Sequence, residues 1–128
     1  MTQTVQAEAV IDISASTGSV FKFKAPRAGK ILLNECWGRW SEAAGTQTTT
    51  AGVGSIEVAG TEYATLTSGK DEAVGDVDTW TLAATVGNDK AVYFAAADLI
   101  DVKLKTQAVG GTVTGEIRVY LVVELAAV

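Results

Sequence analysis

A chain of 128 residues with 48% hydrophobic side chains is long enough to form one domain with its own core. Its 15 acidic and 10 basic residues give a formal net charge of -5 with the cations dispersed, which argues against nucleic acid as a partner. One Cys and no His exclude an internal disulfide and the usual thiolate metal sites, and remove the commonest proton shuttle at neutral pH.

The chain starts Met-Thr-Gln-Thr, without the basic region and apolar run of a signal peptide. No later window approaches 18 uninterrupted apolar residues, so neither a transmembrane helix nor a membrane partner is expected. Val5, Ala7, Ala9 and Ile11 alternate with Gln6, Glu8, Val10 and Asp12, which predicts an extended N-terminal arm or edge strand over residues 1–12. The domain proper is then residues 13–128. Val20 to Lys24 alternates with both Phe residues on one face, and Pro26 and Gly29 supply the reversal that follows. Lys30 to Trp37 reads as one strand, apolar on both faces near Leu32 and Leu33. Residues 41–54, SEAAGTQTTTAGVG, carry no large side chain and read as a long loop ordered by a neighbour.

Two short strands or a hairpin follow at Ile56–Val58 and Tyr63–Leu66, then an acidic segment at 70–78 and a return to strand at Trp80. Gly87 to Lys90 is a turn and Ala91 to Phe94 a strand; Ala95 to Asp98 is one helical turn or a tight bend. The closing pair is Leu99 to Thr106 and Thr114 to Leu125, joined through Gly110-Gly111. In the last strand Ile117, Val119, Leu121 and Val123 face one way, and Glu116, Arg118, Tyr120, Val122 and Glu124 the other. No segment sustains a 3.6-residue apolar period, so the chain is expected to be all-β, a sandwich or barrel of short strands.

Asp71, Glu72, Asp76 and Asp78 could offer oxygens to Ca²⁺, yet their spacing matches no EF-hand loop, and a solvated loop that keeps the surface charged is the expected reading. Glu35, Glu57, Glu62 and Asp98 contain no pair that the sequence selects for glycoside hydrolysis. Cys36 sits in an apolar strand with no His to activate it and reads as an inert buried thiol. Trp37 is expected in the core. Trp40, just before the low-content loop, is the better candidate for an interface or a sugar. No catalytic residue, metal or cofactor is expected. The doubly apolar end of the last strand must be covered, by the rest of the fold or by another copy.

The stretches FKFKAPRAGKILLNE (21–35), VYFAAADLIDVKLKT (92–106) and GEIRVYLVVEL (115–125) carry an order of elements that resembles the small jelly-roll proteins of tailed-phage virions, most of all capsid decoration (cement) proteins. Head-fibre, tail and baseplate components, carbohydrate-binding modules and tumour-necrosis-factor-like trimers have similar layouts. The resemblance implies a single-domain jelly-roll-like β-sandwich without enzymatic activity. It implies a homotrimer on the outer surface of the capsid that bridges neighbouring copies of the major capsid protein and stabilises the shell. On that reading the subunit or capsid interface would draw on Val5, Ala7 and Ile11 of the arm, on Trp40, Thr48 and Thr49 before and within the loop, and on Tyr120 and Val122 of the last strand.

Overall fold

The computed structural model describes residues 2–43, 45, 49–68 and 72–127. Among them the chain forms two antiparallel sheets packed face to face. The strands in chain order are β1 Gln3–Asp12, β2 Gly18–Lys24, β3 Gly29–Leu32, β4 Trp37–Glu42, β5 Val53–Val58, β6 Thr61–Thr67, β7 Val77–Thr79, β8 Thr81–Leu82, β9 Ala91–Phe94, β10 Leu99–Thr106 and β11 Glu116–Leu125. A short 3-10 turn, Leu33–Glu35, separates β3 from β4.

β11 is the axis of the first sheet. Along one edge it pairs with β1 from Gln3↔Leu125 to Asp12↔Glu116 without a register shift. Along the other edge its start pairs with β4 and its end with β3, so β3 and β4 are two halves of one strand broken by the 3-10 turn. β7 and β9 line up in the same way outside β4 and β3. The second sheet runs β2-β10-β5-β6-β8. With each broken strand counted once, the chain steps between the sheets in the double Greek-key order of a jelly roll. With the two-residue β8 set aside at the edge of the second sheet, the first, eighth, third and sixth strands form one sheet, and the second, seventh, fourth and fifth form the other. The fold is an all-β jelly-roll sandwich.

The terminal strand is therefore apolar because it is central. Ile117, Val119, Leu121, Val123 and Leu125 point inward and are buried against Ile100, Val102 and Leu104 of β10 and Ile56 of β5. A fully buried aliphatic side chain contributes about 1.5–3 kcal/mol, so this row anchors the first sheet. β5 and β6 join through the two-residue turn Ala59-Gly60, with φ of 50° and 83°. Two positive φ values in a two-residue connection make a type I′ turn, whose twist matches that of the flanking strands. Residues 95–98 are a tight bend rather than a helical turn: Asp98 Oδ2 accepts from Ala95 N at 2.8 Å, and Ala97 takes φ 72°.

Two expectations change and one open reading closes. Of the arm and the edge strand, residues 3–12 form the edge strand, held along its whole length by β11. Its alternation was legible, but Val5, Ala7 and Ile11 face the core, not a neighbour: Ile11 is 1% exposed, and Val5 and Ala7 pack half-buried against the same cluster. Lys30 to Trp37 is not one strand, because Leu33–Glu35 leaves the sheet.

Candidate binding face

The 3-10 turn inserts three extra residues into the strand opposite β11: Ile31 pairs with Val123, but Trp37 pairs with Tyr120. Successive strand residues face opposite sides, so an odd insertion flips every later side chain. Ile31 and Leu33 point inward, and after the turn the inward positions are Gly38 and Trp40. Trp40 is fully buried, with its indole N–H donating to Asp78 Oδ2 at 2.7 Å. It is a core residue and not an interface or sugar-binding one. Trp37, expected in the core, stands on the outer face at 37% exposure.

The break leaves Val122 opposite no regular strand residue, and Cys36 fills the gap. Its thiol donates to Leu32 O at 3.3 Å, and its sulfur accepts from Val122 N at 3.4 Å. Desolvation of the buried thiol pushes its pKa up from 9.0 to about 11, against the lowering effect of the Val122 N–H and with a small further push from Glu35. A thiol held protonated in this way is a poor nucleophile.

Outside this gap the face has a shallow hollow of about 690 Å³. Its apolar lining is Leu32, Val122, Trp37 and Tyr120; Glu35 of the 3-10 turn and Glu124 of β11 supply carboxylates, and Thr4 and Gln6 of β1 complete the rim. Trp37 and Tyr120, directly opposed across β4 and β11, stack with ring centroids 4.5 Å apart and planes inclined by 28°. Val10, Val77 and Tyr93 are exposed on the same sheet face. Around them Arg118 pairs with Glu8 at 2.9 Å, and Lys30 stands 3.9 Å from Glu124. Tyr93 Oη donates to Asp89 Oδ2 at 2.8 Å. That bond holds the Asp89 carboxyl below its usual range and raises the Tyr93 hydroxyl.

The outer face of the second sheet differs in kind. Lys103 bridges Glu57 at 3.1 Å and Asp101 at 3.9 Å, and Lys105 pairs with Glu62 at 3.0 Å. Hydrogen bonding to Glu57 raises the Lys103 ammonium. Charged pairs dominate this face, with Leu99 exposed at its end, whereas the first sheet carries the exposed aromatic residues Trp37 and Tyr93 beside its own ion pairs.

Of the residues singled out in sequence, Tyr120 and Val122 line the hollow. Thr49 is exposed in the loop after β4, where its N–H donates to Val109 O at 3.1 Å, apart from the hollow. Thr48 lies outside the described residues, as does Asp71. Asp76 and Asp78 of the acidic segment serve the fold: Asp76 accepts from Ala73 N at 2.9 Å and Asp78 from Trp40. Among the described residues no group of three or more acidic, Cys or His side chains could hold a metal ion. No helix among them is long and apolar enough to cross a membrane. Trp80, the third tryptophan, is buried. Sequence reasoning missed Trp37, Leu32, Glu35 and Glu124 as neighbours of one hollow, because the face parity depends on a turn that the alternation pattern does not announce. Comparison with protein families, with curated proteins and with solved structures finds no match to this chain.

Proposed function

We propose that this chain is a non-enzymatic structural protein of a tailed-phage virion, a capsid decoration protein that binds the outer capsid surface as a homotrimer and bridges neighbouring capsomers. The observation that carries the reading is the asymmetry of a jelly-roll sandwich. One sheet face is dominated by the ion pairs of Lys103 and Lys105, with Leu99 exposed at its end, while the other exposes Trp37, Tyr93, Val10 and Val77 around a hollow. Aromatic residues at the centre of an exposed patch with a polar rim have the anatomy of a protein–protein interface. β1, paired with β11 along one edge, is the edge strand through which copies could also associate. Binding to the assembled shell alone would stabilise it by mass action, and many symmetric copies would multiply a modest affinity.

The test is co-sedimentation of the purified protein with undecorated capsids assembled from the major capsid protein of the same phage. Saturable binding, and shells that resist heat or chelation better when coated, support the reading. A protein that stays in the supernatant at every concentration refutes it. A tail, head-fibre or baseplate component of the same architecture would bind tail structures and not the shell. A carbohydrate-binding module would use the Trp37–Tyr120 pair, since Trp40 and Trp80 are buried.

A further inference from the structure

We propose that the hollow on the outer face of the β1–β11 sheet is a receptor for an arginine side chain presented by the protein surface on which this chain docks. The inference rests on the docking reading for the source of the arginine, while the chemistry of the site stands on its lining. Two carboxylates, Glu35 and Glu124, reach the hollow from different elements, and no cationic side chain lines it. Lys30 pairs with Glu124 at 3.9 Å from an adjoining depression beside Tyr93 and Phe94, so Glu35 is the carboxylate of the hollow left without an ion pair among the described residues. The stacked Trp37–Tyr120 pair forms an aromatic wall, and Leu32 and Val122 an apolar floor. Guanidinium groups stack on aromatic faces, carry a planar fork of donors that matches carboxylates, and are weakly hydrated. The three methylenes of arginine would lie along the floor as the head group meets Glu35 and Glu124.

A neutral sugar fits less well. Glu35, which makes no ion pair with a described residue, favours a positively charged guest over a neutral one. The hollow is a direct product of the strand break: the residues that would fill that part of the sheet are diverted into the 3-10 turn, which places Glu35 at the rim.

The experiment titrates the full chain with Nα-acetyl-arginine amide, followed by the ¹⁵N–¹H shift of the Trp37 indole. Its uncharged isostere Nα-acetyl-citrulline amide and a set of methyl glycosides are run in parallel. The expected result is saturable movement of the Trp37 signal with arginine, and binding of citrulline weaker by about tenfold, the scale of one lost charge-assisted bond. Glu35→Gln weakens the arginine complex about threefold, the scale of an exposed ion pair. Lys105→Gln, on the opposite sheet, leaves it unchanged. Equal binding of citrulline and arginine, an equal loss in both variants, or movement with a glycoside but not with arginine overturns the assignment. Self-association abolished by Arg39→Gln, a change at the exposed arginine of β4 on this same sheet, also overturns it, since the guest would then be a second copy. Arginine binding by a protein that ignores capsids would leave the site standing and the virion reading refuted. Capsid binding by a protein blind to arginine would do the reverse.

Discussion

Raising the pH should unfasten the first sheet at Cys36. The folded chain holds this thiol protonated up to about pH 11, whereas an ordinary thiol ionises near 9.0. The stability gained by burying a neutral thiol is fully present below pH 9.0. It declines as the unfolded chain becomes thiolate, and is lost as pH rises through the folded value near 11. Two pH units at 1.36 kcal/mol each give about 3 kcal/mol. That is a large share of the roughly 5–15 kcal/mol that holds a domain together. The assay is urea denaturation at a series of pH values from 7 to 11, on the wild type and on Cys36→Ala. At pH 7 the variant should be less stable by about 1–3 kcal/mol, because Val122 N–H loses its acceptor and a small cavity opens. By pH 11 the gap should have closed or reversed. Stability curves that stay parallel across the series would refute the claim that the buried sulfur is kept as a thiol by its surroundings. Tyr and Lys ionisations affect both proteins and cancel in the difference.

Two other perturbations test the packing. Trp40→Phe keeps most of the buried ring but strands the Asp78 carboxylate, and should cost about 1.5–3 kcal/mol in chemical denaturation. If Trp40 lay at an interface instead, the same change would weaken assembly and leave the monomer's stability intact. Ala59→Asn should stabilise the fold by roughly 0.5–1 kcal/mol, because Asn tolerates the left-handed conformation that Ala59 holds at φ 50°. A lower melting temperature for that variant would contradict a type I′ turn.

The chain declared its class through β10 and β11. Ile100, Val102 and Leu104, and the odd-numbered residues from Ile117 to Val123, alternate without interruption, and two-residue periodicity translates directly into one buried face. The same rule misplaced Trp37 and Trp40. LLNEC contains no Gly or Pro to mark the 3-10 turn, and a strand read straight through from Ile31 puts Trp37 inside and Trp40 outside. For β1 the pattern was legible but its destination was not. Alternation says that Ile11 and Ala9 share a face, while only the pairing with β11 says that this face is the core. The bond between Trp40 and Asp78 spans 38 residues of chain and left no local trace. The hollow was hidden for the same reason, since its carboxylates come from the turn and the last strand and meet only in the folded sheet.

The most direct test of docking through the β1–β11 sheet compares surface variants of its two faces in capsid co-sedimentation. Trp37→Ser and Tyr93→Ser alter the aromatic face, and Lys105→Gln and Glu62→Gln alter the ion-paired face; all four side chains are at least partly exposed. Docking through this sheet requires that the first pair lose capsid binding while remaining folded, and that the second pair bind as the wild type does. Binding that survives the Trp37 and Tyr93 changes, or fails with the Lys105 and Glu62 changes, would contradict it.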